Sequence, residues 1–117
     1  MGRLTTHVLD TANGRPGQGI VIDIYRLDRG GHDLLGSVTT NADGRCDTPL
    51  LEGDGLRQQD YELVFHVADY FRGLGMKLPE PPFLGEVVIR FGIAEPGEHY
   101  HVPLLLSPYG YSTYRGS

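Results

Sequence analysis

Two histidines, His99 and His101, stand two residues apart in the stretch HYHVPLLL. Side chains two apart on a β-strand point to the same face, so both imidazoles can reach one ligand. The side chains of the other face are all apolar or aromatic: Tyr100, Val102, Leu104 and Leu106. The alternation therefore predicts a strand that turns one face to the core and presents both histidines on the opposite face.

Two further segments direct polar or aromatic side chains away from the core. In LTTHVLD, near the start, one face carries Thr5, His7 and Leu9, and the other carries Leu4, Thr6 and Val8. The final segment, GYSTYRGS, has strand character up to its last residue, and the alternation places Tyr114 off the core as well. A face that mixes histidine and tyrosine with apolar neighbours is typical of a pocket wall or a subunit interface.

The paired histidines admit three interpretations. Imidazole takes and gives protons near neutral pH, which suits acid–base chemistry in a pocket. Imidazole is also a common zinc ligand, so His7, His99 and His101 form a candidate metal site. No carboxylate or cysteine with clear ligand spacing stands beside them, which disfavours a metal. The third interpretation is an ordinary solvated surface, and the residue pattern alone leaves all three open.

The elements that must position these side chains are short strands. Alternation with a period of two runs through most of the chain, as in IVIDIYRL and YELVFHV, and turn signals such as Asn13-Gly14 separate the runs. A short helix is predicted over 69–75, ended by Gly75. Seven or eight strands at spacings of about 8–12 residues are typical of an all-β sandwich or barrel. The length of 117 residues suits a single domain, 1–117.

Charge and composition disfavour several classes of function. The net charge of -5 argues against nucleic acid as a partner, because phosphate binding needs a basic surface. No apolar run is long enough for a signal peptide or a membrane span, so we expect a cytoplasmic protein without a membrane partner. The single cysteine, Cys46, cannot form an intrachain disulfide, unlike the cysteines of secreted disulfide scaffolds.

Four stretches together resemble one known family. They are LTTHVLDTANGRPG at the start, TTNADGRC in the middle, DYF before a proline-rich loop, and HYHVPLLLSPYGYSTYRGS at the end. Over essentially its full length the sequence resembles the 5-hydroxyisourate hydrolases, also called transthyretin-related proteins. The terminal Tyr-Arg-Gly-Ser is the most specific element, because it separates these hydrolases from the hormone carrier transthyretin.

The resemblance implies an architecture. The expected fold is an all-β, transthyretin-like sandwich of two four-stranded antiparallel sheets with one short helix. The expected assembly is a homotetramer, a dimer of dimers, whose active sites lie in a channel at the dimer–dimer interface. An interface would explain why the face that carries His101 is half apolar.

The resemblance also assigns an activity and its residues. It implies hydrolysis of 5-hydroxyisourate, a small purine-derived substrate, to 2-oxo-4-hydroxy-4-carboxy-5-ureidoimidazoline, with neither a metal nor another cofactor. The matching catalytic residues are His7, Arg45, His101 and Ser117. The matching substrate-binding residues are His7, Arg45, Tyr114, Arg115 and Gly116, and His99 is left at the channel edge.

A mechanism follows from these assignments as a hypothesis. His7 and His101 would share the general acid and base roles that activate a water for attack on the six-membered-ring lactam, and the sequence leaves their order open. Arg45 would hold the substrate's oxygens, oppose the developing oxyanion and favour a neutral histidine beside it. The alternative function is a transthyretin-like carrier of a small aromatic ligand, which would need an open apolar channel.

Overall fold

The chain folds into two β-sheets packed face to face, with one short α-helix. The computed structural model describes residues 2–117. The elements are β1 (Arg3–Asp10), β2 (Arg15–Pro16), β3 (Val21–Asp28), β4 (Gly31–Thr39), β5 (Leu51–Glu52), a turn of 3-10 helix (Gly53–Gly55), β6 (Asp60–Phe65), α1 (Val67–Gly73), β7 (Val87–Gly92), β8 (His99–Ser107) and β9 (Gly110–Thr113). The predicted all-β sandwich with one short helix is confirmed.

Each sheet is four strands wide. The first has the order β2-β1-β8-β9, and β5 also pairs with β1. Because β2 and β5 pair with opposite ends of β1, these two-residue strands share one edge of the sheet. The second sheet has the order β4-β3-β6-β7 and is antiparallel throughout.

One strand pair departs from the expected antiparallel arrangement. β1 and β8 run parallel, from Arg3 opposite His99 to Asp10 opposite Leu106. Parallel neighbours need a long crossover. Here the whole second sheet supplies it, because β3, β4, β6 and β7 all lie between β1 and β8 along the chain. The expectation of two purely antiparallel sheets is therefore corrected at this pair.

Burial confirms the alternation predicted for β1 and β8. Val8 on β1 and Leu104 and Leu106 on β8 are completely buried, whereas His7 and His101 are partly exposed on the other face. The largest fully buried side chains of the second sheet and the helix are Tyr61, Phe65 and Phe71. The core therefore lies between the sheets, and the histidines stand outside it.

The helix begins two residues earlier than predicted. It spans Val67–Gly73, because Val67 is completely buried and joins the first turn to the core. The predicted glycine stop is confirmed: Gly75 has a φ of +87°, which glycine adopts without strain, and the N–H of Met76 donates to the carbonyl of Phe71 at 3.1 Å. Among residues 2–117, no helix has the length and apolar character needed to cross a membrane.

The last strand is shorter than predicted, because the sequence pattern extended it to the last residue of the chain. β9 ends at Thr113, and pairing resumes only where the N–H of Gly116 donates to the carbonyl of His101 at 2.8 Å. The same register would place Pro103 opposite Tyr114. Proline has no N–H to donate to a ladder, so the pairing lapses at this position.

A buried carboxylate joins β1 to the helix. Asp10, 1% exposed, accepts hydrogen bonds from the Tyr70 hydroxyl at 2.6 Å and from Asn13 at 2.7 and 3.0 Å. Burial alone would raise the pKa of Asp10, but these hydrogen bonds hold it below its ordinary value. Burial and the bond to Asp10 raise the pKa of Tyr70 to about 12. The link therefore requires an ionised Asp10 and a neutral Tyr70.

We expect Tyr70→Phe to lower the free energy of unfolding by about 1.5–3 kcal/mol at neutral pH, because it removes a hydrogen bond to a buried charge. The pKa of Asp10 is depressed, so its contribution is present above the unfolded value of 3.8 and is lost as the pH falls through the folded value. The pKa of Tyr70 is raised, so its contribution is present below 10.0 and is lost as the pH rises through about 12.

Denaturant unfolding at fixed protein concentration, repeated across pH, measures the acidic loss of stability through Asp10 and the alkaline loss through Tyr70. The matched control is Tyr109→Phe, since Tyr109 is 63% exposed and should change the stability by no more than about 0.5 kcal/mol. Equal losses in the two variants would contradict a structural role for the Asp10–Tyr70 bond.

Candidate active site

A cavity of about 420 Å³ opens on the outer face of the first sheet. Its wall combines alternate residues of β1 and β8, the loop that begins at Arg45, and the end of the chain. The side chains in this wall that could act on a ligand are Arg3, Thr5, Arg45, His99, His101 and Ser117. Of the predicted catalytic residues, the structure therefore brings Arg45, His101 and Ser117 together within one chain.

Thr5 lies between the two histidines of β8. The parallel register sets Thr5 directly opposite His101. Its hydroxyl oxygen lies 2.8 Å from His101 Nδ1 and 2.7 Å from His99 Nε2. The sequence pattern placed Thr5 on the same face as His7 but gave it no role. The face shared with His7 was the only signal for Thr5 in the sequence. Its hydrogen-bond partners, His99 and His101, lie 94 and 96 residues further along the chain.

His7 is held by the turn that the sequence NADGRC forms. Its Nε2 lies 2.9 Å from the carbonyl oxygen of Asp43. A carbonyl only accepts, so Nε2 carries the proton and Nδ1 has the lone pair of the neutral ring. The side-chain oxygen of Asn41 fixes the turn by accepting the backbone N–H groups of Asp43 and Arg45 at 2.9 and 3.2 Å. His7 thus has a set orientation next to the cavity, although it does not line it.

His101 is kept in its neutral form. Burial is the main cause that lowers its pKa, and the neighbouring Arg45, His99 and His7 lower it further by charge repulsion. The effect of Arg45 on His101 has the direction predicted for an arginine beside a histidine of the site. A neutral imidazole can accept a proton at neutral pH, as a general base must.

The end of the chain packs against the imidazole of His101. A Cβ placed on Gly116 would come within 2.5 Å of Cδ2 of that ring, so only glycine fits there without a shift. Thr5 occupies Nδ1, and no residue among 2–117 hydrogen-bonds Nε2. Nε2 is therefore the nitrogen of His101 that a ligand or water in the cavity can use.

Tyr114 and Arg115 lie apart from the other predicted site residues within one chain. Both line a second cavity, of about 330 Å³, which β7 also borders. The Arg115 guanidinium lies 4.0 Å from the ring centre of Tyr100 and 3.1 Å from a carboxylate oxygen of Glu98. The bridge between His101 and Gly116 keeps the register of β9, so Tyr114 falls opposite Pro103, and its place on the face of His101 stays a prediction.

The three candidate metal ligands are engaged with other partners. Nε2 of His7 bonds a carbonyl, while His99 and His101 each bond the hydroxyl between them. Across residues 2–117, no group of three or more histidine, cysteine, aspartate or glutamate side chains is placed to hold a metal ion.

Comparison with known proteins identifies the family. The family model described as "HIUase/Transthyretin family" matches residues 4–116. The chain belongs to the HIUase/Transthyretin family. A curated member, 5-hydroxyisourate hydrolase 2 of Rhizobium meliloti, is 65% identical over 116 residues, which cover 99% of this chain and 97% of that protein.

Solved structures of related proteins have the same fold. The crystal structure of (S)-allantoin synthase superimposes with a TM-score of 0.94 at 44% identity, and the match covers 99% of this chain but 44% of that longer one. The 5-hydroxyisourate hydrolase of Klebsiella pneumoniae superimposes with a TM-score of 0.82 at 32% identity, and the match covers the whole of both chains. The transthyretin-like sandwich is thus shared across the family.

We expect Arg45→Gln to raise the pKa of His101, because it removes a cation that opposes the imidazolium. The value should stay below the ordinary 6.5, since burial, the larger cause, remains. An NMR titration of the His101 ring protons measures the change. Arg29→Gln, an equal charge change at an exposed position in the turn between β3 and β4, is the control. If both variants leave the titration of His101 unchanged, Arg45 does not act on its charge.

Proposed function

We propose that this chain hydrolyses 5-hydroxyisourate to 2-oxo-4-hydroxy-4-carboxy-5-ureidoimidazoline. The observation that carries the proposal is the cavity in which a half-buried, neutral His101 meets Arg45 and Ser117. Membership of the family and the full-length likeness to 5-hydroxyisourate hydrolases support the same activity. The reaction is the opening of a cyclic amide by water.

His101 acts as the general base. Its Nε2 faces the cavity without a protein partner, and its lowered pKa leaves it unprotonated at neutral pH. It takes a proton from a water molecule as that water attacks the carbonyl carbon of the six-membered-ring lactam. Base catalysis by a positioned histidine contributes about 10²–10⁴-fold to a rate.

Arg45 and His7 act on the charges that develop. The guanidinium of Arg45 donates hydrogen bonds to the substrate's oxygens and stabilises the oxyanion formed by water attack. His7, whose Nε2–H bonds the carbonyl of Asp43, acts as the general acid in its protonated form and gives the Nδ1 proton to the leaving nitrogen. The Ser117 hydroxyl lines the same cavity and orients the attacking water. Neither a metal nor another cofactor has a place in this scheme.

The assembly that completes the site is a homotetramer, a dimer of dimers. The outer face of the first sheet continues from the cavity into apolar side chains that one chain leaves uncovered, including Leu9, 37% exposed, and its strand partner Leu105, partly exposed. A second chain on this face would bury them and could bring its own Tyr114 to the cavity, which would restore the substrate-binding role assigned to that residue. The cytoplasmic location stays part of the proposal.

The carrier alternative fits this cavity poorly. A carrier of a small aromatic ligand needs an open apolar channel. The cavity wall instead presents the cations Arg3 and Arg45 and the hydrogen-bonding groups of His101 and Thr5. We therefore favour the hydrolase.

We expect His101→Ala to reduce kcat by about 10²–10⁴-fold through loss of the general base. The assay follows the ultraviolet absorbance of freshly made 5-hydroxyisourate against its spontaneous decay. The control is His32→Gln, since His32 lies on the other sheet, paired with Glu62. Near wild-type turnover of an intact, correctly assembled His101→Ala variant would refute the assignment of the base.

We expect Gly116→Ala to reduce kcat by about 100-fold, because its Cβ would displace the His101 ring from its position. Gly97→Ala is the matched control, as no atom lies within 4 Å of a Cβ built there. The same absorbance assay measures both variants. Equal activities of the two would show that the tail does not set the position of His101.

A further inference from the structure

Hydrogen bonds link three side chains, those of His101, Thr5 and His99, in a row from the cavity to the protein surface. His101 is half-buried in the cavity, the Thr5 hydroxyl bonds its Nδ1 at 2.8 Å, and the same hydroxyl bonds Nε2 of His99 at 2.7 Å. His99 is exposed, and among residues 2–117 its Nδ1 has no hydrogen-bond partner. This row of hydrogen bonds therefore begins at His101, whose Nε2 has no protein partner, and ends at Nδ1 of the exposed His99.

The hydroxyl of Thr5 couples the tautomers of the two rings. A hydroxyl has one proton to donate, so at most one imidazole accepts from Thr5 and the other must donate to it. If Nδ1 of His101 carries a proton, Thr5 donates to Nε2 of His99, and Nε2 of His101 keeps its lone pair for the cavity. The opposite arrangement would put the proton on Nε2 of His101 and remove the base.

The proposed reaction produces a proton that must leave the site. Opening the lactam with water yields a carboxyl group, which is ionised at neutral pH, and a urea nitrogen, which is not basic. One proton of the attacking water goes to His101. The second stays on the new carboxyl group, passes to His7, and replaces the proton that His7 gave to the leaving nitrogen. One proton per turnover therefore remains on the half-buried His101.

We propose that Thr5 is a positioning residue that holds His101 in its Nδ1–H tautomer and joins it to His99 in a proton relay. When Nε2 of His101 takes the water proton, the Nδ1 proton passes to the Thr5 oxygen, the Thr5 proton passes to Nε2 of His99, and His99 releases its Nδ1 proton to solvent. After the product has left, Nε2 of His101 gives its proton to water that enters the cavity, and a proton enters at His99, which resets the tautomers. The relay step rests on the proposed hydrolysis.

The charges around His99 favour release over retention of this proton. Partial burial and the guanidinium groups of Arg3 and Arg115 lower the pKa of His99. The imidazolium form of His99 is therefore disfavoured at neutral pH. This suits a residue that passes a proton on to solvent, and it disfavours a role as a permanent cation that binds substrate.

The first test needs no turnover. The ¹⁵N shifts of the imidazole of His101, recorded at a pH where the ring is neutral, should show the Nδ1–H tautomer in the wild type and in Thr5→Ser. Thr5→Val, which keeps the β-branched shape and lacks the hydroxyl, should show a mixture of tautomers. Thr39→Val, an exposed threonine of the second sheet, is the control and should match the wild type. A wild-type His101 with its proton on Nε2, or an unchanged Thr5→Val, would overturn the positioning role.

The second test separates positioning from proton transfer. Thr5→Val should lower kcat by roughly 10- to 100-fold with KM changed less than about twofold, and Thr5→Ser should retain most activity. Glutamine can bond the Thr5 hydroxyl but cannot pass a proton on, so His99→Gln should also lower kcat while His101 keeps its tautomer. Because both changes break one relay, the double variant should be little worse than Thr5→Val alone.

The outcomes distinguish the two proposals. Unchanged kcat in His99→Gln, or multiplying losses in the double variant, would overturn the relay. If the wild type does not accelerate loss of 5-hydroxyisourate, the proposed function fails, and the ¹⁵N shifts still decide whether Thr5 positions His101.

Discussion

Eight consecutive residues of β1 pair in parallel with β8, and the chemistry of the cavity depends on that register. Thr5 can bond His101 because the two residues are direct partners, and it can reach His99 because that residue lies two positions away on the same face. A slip of one residue would turn the outer face of one strand against the core face of the other and bury the histidines. The completely buried Leu4 and Val8 oppose such a slip, so the core that holds the sheets together also fixes the active-site geometry.

The local charge of the site differs from the charge of the whole chain. The protein carries a net charge of -5, yet the cavity wall presents the guanidinium groups of Arg3 and Arg45. The partial burial of His101 and the nearby Arg45 act in the same direction, because each disfavours the imidazolium of His101. A neutral base and oxygen-binding cations are compatible within one small cavity, because a nearby cation favours the neutral form of the imidazole. The net charge of the chain therefore carries no information on this arrangement.

The strand alternation predicted an all-β sandwich or barrel, the core faces of β1 and β8, and the position of His7 and His101 outside the core, and the family resemblance narrowed the fold to a sandwich. Each prediction from the alternation depends on residues within one strand, where a period of two is enough. The parallel pairing of β1 with β8 depends on segments more than 90 residues apart, and no local pattern sets their direction or register. The role of Thr5 was hidden for that reason. The resemblance to a known family supplied Arg45 and Ser117, which alternation alone does not place beside a histidine.

The register between β8 and the end of the chain explains how one short tail serves two surfaces. In the interior of β8 a proline leaves the position opposite Tyr114 without an N–H donor, so the ladder to β9 lapses there. The register is kept across the gap, so Arg115 lies on the face of Tyr100 and packs on its ring. The pairing resumes at Gly116, whose missing side chain lets the backbone lie against His101. Tyr114 falls between them, opposite Pro103, and is 61% exposed, so a neighbouring chain can contact it.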